Sequence, residues 1–221
     1  MDRISQIYRP QSGKKKAKNS GKRTGSQWIS SEESRAEVHR MRHASDALLT
    51  GIGTILADDP LLTDRSGLPR RKRLLRVVLD SKLRLPPESR IAETAEDDLL
   101  VFTAASSKSP KARKLQNAGV EVVQAKTKNG RIDLQAVHAE LGRREILSVL
   151  LEAGPKLNGV ALAAGIVHKL FLFYAPKIAG ENTVPFALAP NLVLPPLRNI
   201  RTQEFGSDVA VEAYLHDVFQ D

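Results

Sequence analysis

Cysteine is absent from all 221 residues. That excludes a disulfide framework, a thiolate metal site and a cysteine nucleophile. Long apolar runs are missing as well, and no window approaches the roughly 20 residues that span a bilayer. Nor do the first residues hold the apolar core of a secretory signal, so a cytoplasmic protein is expected. The five histidines show no metal-ligand spacing and are expected to be ordinary surface residues, with no metal site. What is present is an ordinary hydrophobic share of 41%, enough for one sizeable core or two small ones.

Acidic charge is scarce at one end only. Residues 1–25 hold eight basic side chains against Asp2, and so carry seven of the nine net positive charges. The remaining chain is nearly neutral. The stretch Gln11-Ser-Gly-Lys-Lys-Lys-Ala-Lys-Asn-Ser-Gly-Lys-Arg-Thr-Gly25 is polar, glycine-punctuated and without hydrophobic period, so 1–25 is expected to be a disordered tail. No aromatic side chains interleave with its lysines to stack on bases, which argues against a nucleic-acid arm.

From Trp28 onward, strand-like and helix-like segments alternate. Ser30-Ser-Glu-Glu33 fits a capping box opening a helix that runs to about Ala44, with Val38, Met41, Ala44 and Ser45 expected inward. Strands are expected at 47–50, 74–79, 99–103, 120–123, 147–151 and 170–174. Helices are expected at 110–118, 134–141 and 156–164. Continuous apolar strands alternating with helices predict a largely parallel sheet covered on both faces. At the end, Gly206-Ser-Asp208 joins two antiparallel strands, 197–205 and 209–215.

Three segments carry possible chemistry. Asp46-Ala-Leu-Leu-Thr-Gly-Ile-Gly-Thr-Ile-Leu-Ala-Asp-Asp-Pro-Leu-Leu-Thr-Asp-Arg65 runs from an apolar strand through a glycine pair into a polar cluster, as α/β proteins place chemistry at a strand end. Val149-Leu-Leu-Glu-Ala-Gly-Pro-Lys-Leu-Asn-Gly159 reads as strand, tight turn and helix start; its free amides suit phosphate. Leu79-Asp-Ser81 puts small polar groups at the same edge. Arg42, in the last turn of the first helix, serves either the helix dipole or a phosphate. Asp58 and Asp59 are neighbours on a helical turn, a poor geometry for a shared metal ion.

Together, Trp28-Ile-Ser30, Val38-His-Arg-Met-Arg42, Gly51-Ile-Gly-Thr-Ile-Leu-Ala-Asp-Asp-Pro60, Leu62-Thr63 with Arg65, Arg76-Val-Val-Leu-Asp-Ser81, Glu152-Ala-Gly-Pro155, Ala175-Pro-Lys177 with Gly180, and Gly206-Ser-Asp208 stand in the order of one family. The chain resembles the C-terminal reductase domain of the bacterial riboflavin-biosynthesis deaminase-reductase over about residues 25–218. The resemblance implies an α/β fold like that of dihydrofolate reductase: a mostly parallel sheet flanked by helices, closed by an antiparallel hairpin. It implies NADPH as cofactor, a phosphoribosylaminopyrimidine as substrate and a homodimer, with 26–221 as the reductase-like domain.

Position by position, the resemblance assigns cofactor contacts to Trp28, Thr54, Asp58 and Ser81. It adds the stretch Gly154, Pro155, Lys156, Leu157, Asn158, Gly159 and Val160 for the cofactor phosphates. Ser26, Arg42, Leu62, Arg65 and Glu152 match substrate contacts, and no residue is assigned the chemical step itself. The family's zinc deaminase half needs cysteine ligands and is not expected in this chain. The family also has an apolar strand before the position of Trp28, where this chain has Lys14 to Arg23. A sheet without its usual first strand is therefore expected, and with it a second reading: an inactive relative acting as a ligand-binding or interaction module.

Overall fold

Parallel pairing governs the architecture, as the alternation of apolar strands and helices requires. The computed structural model describes residues 3–8 (by their backbone), 29–128, 130–177, 184–190 and 192–216. In chain order the elements are β1 (Arg3–Tyr8), α1 (Glu32–Ala44), β2 (Ala47–Gly51), α2 (Ile52–Asp58), β3 (Leu75–Leu79), α3 (Arg90–Glu93), β4 (Leu99–Thr103) and α4 (Pro110–Gln116). Then come β5 (Val120–Gln124), β6 (Thr127–Lys128), β7 (Arg131–Ile132), α5 (Leu134–Arg143), β8 (Ser148–Glu152), α6 (Pro155–Ala163), β9 (Lys169–Tyr174), β10 (Arg198–Phe205) and β11 (Asp208–Tyr214).

The main sheet has the order β1-β8-β2-β3-β4-β5, and every pairing in it is parallel. Successive side chains on a strand point to opposite faces, and both faces are covered. Leu49, Val77, Leu100, Phe102 and Leu151 meet Val137 and Leu141 of α5 and Ala161 and Leu162 of α6. On the other face, Leu48, Val78 and Val101 pack with Ile91, Ala112 and Leu115, while Leu150 meets Val38 and Met41 of α1. Asp46 clips the sheet at its start: its Oδ2 accepts from the Leu147 and Ser148 amides at 3.0 and 2.9 Å.

Three sequence expectations change. The sheet does have a strand ahead of Trp28: Arg3–Tyr8 lies parallel to β8, with Ile4 opposite Val149 and Ile7 opposite Leu151. The register shifts between Ile4 and Gln6. That bulge gives Ile4 and Ile7, three apart in sequence, register positions two apart on the partner strand. Strict alternation is broken, so the segment does not look like a strand, and it lies upstream of the lysine run. The rest of the expected tail, 9–25, falls outside the described residues.

Second, α1 is capped by Ser31, not Ser30: its Oγ accepts from the Ser34 amide at 3.0 Å. The cap moves because Ser31 is also held by the hairpin, its amide donating to Asp208 Oδ2 at 2.7 Å and its hydroxyl to the Phe205 carbonyl at 2.7 Å. Of the two residues expected to end the stripe, Ser45 is buried but Ala44 is exposed. Third, the strand at 170–174 leaves the parallel sheet: β9 pairs antiparallel with β11 in a separate sheet of order β10-β11-β9. Its aromatic residues explain this, because Phe171 and Phe173 pack on Phe205 of β10 with ring centroids 6.2 and 5.5 Å apart.

Candidate active site

Four buried polar residues mark the carboxyl ends of neighbouring strands. Glu152 ends β8, Thr50 is the next-to-last residue of β2, Asp80 follows β3 and Thr103 ends β4, and all are at most 2% exposed. Buried polar groups are normally satisfied; Thr103 is, Glu152 is held on both oxygens by Arg42, and Asp80 is satisfied on one oxygen. Thr103 Oγ1 accepts from the Ala105 amide at 3.1 Å, and Asp80 Oδ2 accepts from the Leu85 amide at 2.7 Å. Burial pushes the Asp80 carboxyl above its ordinary value, against the opposing pull of the Leu85 and Arg84 amides. Thr50 Oγ1 and Asp80 Oδ1 have no hydrogen-bond partner among the described residues.

Two helices start at this edge without a side-chain cap. Gly51 precedes α2 and Gly154 precedes α6, which opens on Pro155. Missing caps leave the first amides of each helix available to an anion. The two starts are neighbours, for a side chain added at Gly51 would meet the Leu157 side chain at 3.5 Å. Around Gly53 and Gly154 the space is open within 4 Å. Thr54 is half-buried and Asp58 exposed on α2, and Ser81 is half-buried beyond β3, its carbonyl accepting from the Ala104 amide at 3.2 Å.

The expected phosphate stretch divides in two. Gly154, Pro155, Lys156 and Leu157 line the open edge. Asn158 and Gly159 are buried: Asn158 Nδ2 donates to the Phe186 carbonyl at 2.9 Å, and Gly159 lies under Leu188. Val160 is half-buried beside the core.

Across the edge, α1 supplies the charged side. Arg42 makes a bidentate pair with Glu152, Nε to Oε1 at 2.7 Å and Nη2 to Oε2 at 2.8 Å, and its Nη1 donates to the Thr63 carbonyl at 2.9 Å. Glu152 is thus already held by Arg42 rather than presented bare. Leu62 is buried at a positive φ of 54°, and Arg65 is exposed, with its Nε 3.3 Å from Thr63 Oγ1. The adjacent carboxylates diverge: Asp59, in the left-handed region at φ 42°, accepts from the Arg90 amide at 2.9 Å. Ser26 and Trp28 fall outside the described residues.

Sequence reasoning missed the histidines. His43 Nδ1 lies 2.8 Å from Asp64 Oδ2, and His39 Nδ1 accepts from the Arg65 amide at 3.2 Å. Both are half-buried, not ordinary surface residues. Burial, with Arg42 and Arg65 nearby, holds the His39 pKa below its ordinary value. The available signal was spacing, since 39, 42 and 43 share one helix face. Arg70 was missed too: its Nη1 donates to the Arg42 and His43 carbonyls at 2.9 and 2.8 Å and so caps the end of α1.

An open parallel α/β sheet with uncapped helix starts and a charged pair at its carboxyl edge defines a ligand-binding α/β domain of the kind whose site lies beyond the strand ends. The family model described as the RibD C-terminal domain matches residues 17–211, and the chain belongs to that family. The riboflavin biosynthesis protein RibD of Actinobacillus pleuropneumoniae is 39% identical over 155 residues, 70% of this chain and 41% of that protein. RibD of Escherichia coli is 34% identical over 179 residues, 76% of this chain and 47% of that protein. The chain therefore spans less than half the length of either relative.

Among solved structures, the Thermotoga maritima diaminohydroxyphosphoribosylaminopyrimidine deaminase/5-amino-6-(5-phosphoribosylamino)uracil reductase superposes with a TM-score of 0.71 at 25% identity, over 97% of this chain and 57% of that one. The riboflavin biosynthesis reductase Rib7 of Saccharomyces cerevisiae gives 0.70 at 17% identity, over 97% of this chain and 90% of that one, a likeness of fold.

Proposed function

We propose that this chain is an NADPH-dependent reductase that converts 5-amino-6-(5-phosphoribosylamino)uracil to its ribitylamino product in riboflavin biosynthesis. The observation that carries the reading is the juxtaposition, at one sheet edge, of two uncapped helix starts with the Arg42–Glu152 pair and the 62–65 loop. The cofactor fits the residues present. Gly154 leaves room for a close backbone approach, and the α6 amides suit a pyrophosphate. Thr54, Asp58, Ser81 and, by family resemblance, Trp28 complete that side, with Lys156 and Leu157 along the helix start.

A bound nicotinamide dinucleotide supplies the hydride, and the protein supplies orientation and electrostatics. With the cofactor bound, C1′ of the opened sugar would take its hydride, and a proton from solvent to the attached nitrogen would complete the two-electron reduction. Arg42 spends its fork on Glu152 and Thr63, so the substrate phosphate falls to the exposed guanidinium of Arg65. Glu152, fixed by two charge-assisted bonds, offers a rigid acceptor to the pyrimidine or ribose. Leu62 lines the substrate side, and the family resemblance adds Ser26 to it.

The binding-module alternative rested on a missing strand, and β1 removes that ground. The domain then takes in β1 as well as 26–221. The reading also includes a cytoplasmic homodimer. Exposed Tyr174, Ile200 and Val209 on the β9–β11 sheet support the second copy, and sedimentation tests it. Among the described residues no helix is long and apolar enough to cross a membrane. The test of the enzyme reading is NADPH consumption by purified chain with the phosphoribosylaminouracil. The expected result is turnover together with an NADPH-dependent rise in melting temperature; neither appearing rejects it.

A further inference from the structure

Three consecutive loop residues are gripped by three side chains of one helix face. Arg42 Nη1 donates to the Thr63 carbonyl at 2.9 Å, His43 Nδ1 meets Asp64 Oδ2 at 2.8 Å, and the Arg65 amide donates to His39 Nδ1 at 3.2 Å. The spacing 39, 42, 43 stacks these groups along α1. The loop itself is short of internal ties at Arg65, whose side chain touches only Thr63 Oγ1, at 3.3 Å, among the bonds described.

We propose that His39 is a positioning residue for the substrate phosphate: its Nδ1 fixes the backbone of Arg65, and so the direction from which the Arg65 guanidinium reaches the anion. The inference rests on the reading that Arg65 takes that phosphate. His39 must offer a bare nitrogen to do this, because only the neutral ring carries an acceptor. The surroundings favour the neutral ring: burial first, then the positive charges of Arg42 and Arg65, lower its pKa against the opposing Glu152 and Asp64. Accepting at Nδ1 places the ring proton on Nε2. No cationic side chain could stand there, since a lysine or arginine has no acceptor for the amide. The cluster thus orients an arginine without neutralising it, which a carboxylate in the same place would do.

The test is calorimetric binding of ribose 5-phosphate to the full chain, which needs no turnover. Arg65→Ala is expected to weaken binding, and His39→Ala to weaken it about tenfold, the scale of one lost hydrogen bond. His39→Asn, whose side-chain oxygen can occupy the Nδ1 position, restores most of the loss, and His39→Gln does not. In the Arg65→Ala background, His39→Ala has no further effect. Nitrogen NMR of the His39 ring is expected to show Nδ1 unprotonated. Unchanged affinity in His39→Ala, an undiminished effect without Arg65, or a protonated Nδ1 overturns the proposal while Arg65 keeps its role. Unchanged affinity in Arg65→Ala overturns the phosphate reading and the proposal with it.

Discussion

Arg42 and Glu152, 110 residues apart in the chain, form a two-point ion pair with their side chains 11% and 2% exposed. A pair this buried is costly to break from one side, because the surviving charge keeps its desolvation penalty. Glu152→Ala is expected to lower stability by about 3–5 kcal/mol, and Glu152→Gln, which keeps one acceptor, by less. Urea unfolding followed by circular dichroism checks both. Equal midpoints for wild type and Glu152→Ala would show the pair to be without weight.

Asp208 ties the closing hairpin to the start of α1. Burial alone would raise its pKa, but the Ser34 hydroxyl and Ser31 amide, each 2.7 Å away, lower it further than burial raises it. A carboxyl depressed in the folded state contributes stability that is full above the unfolded pKa and lost as pH falls through the folded one. The loss therefore falls below about pH 4. Asp208→Asn should reduce stability at neutral pH by about 1–3 kcal/mol and flatten that acid limb. A melting series from neutral to acid pH reads both effects.

Gly159 has no room for a side chain. An added Cβ would lie 2.1 Å from the Leu188 carbonyl oxygen and 2.9 Å from the Ala189 nitrogen. Both are backbone atoms, so relief requires moving the 184–190 segment or α6. Gly159→Ala is expected to cost about 1–3 kcal/mol and to raise the KM for NADPH, since α6 carries the proposed phosphate site. Gly154→Ala, made in open space, serves as the contrast: it leaves stability nearly unchanged while weakening the cofactor.

Arg70 holds the C-terminal end of α1 by donating to the Arg42 and His43 carbonyls. Arg70→Met should lower stability by about 1–3 kcal/mol and speed amide exchange in the last turn of α1. Exchange confined to other segments would contradict this capping role.

Much of the fold was legible because its signals are local. The continuous apolar runs around Val77, Val101 and Leu150 give the parallel strands, and Gly206-Ser-Asp208 gives the hairpin. The short helix α2 hid inside the glycine-rich stretch, where seven residues give too little periodicity to detect. β1 hid behind a bulge and a lysine run. In the candidate site, Gly51, Arg42, Arg65, Glu152 and Gly154 stood out by residue type and position. Their mutual bonds did not, because the Arg42–Glu152 pair and the His39–Arg65 tie join segments whose distance only the folded sheet sets.

Hydride transfer is the central claim, and isotope tracing tests it most directly. With NADPH deuterated at the transferable position and 5-amino-6-(5-phosphoribosylamino)uracil as substrate, mass spectrometry and NMR of the product should find one deuterium at C1′ of the ribityl chain. A product without deuterium at C1′, or substrate recovered unchanged with the NADPH intact, would contradict the assignment.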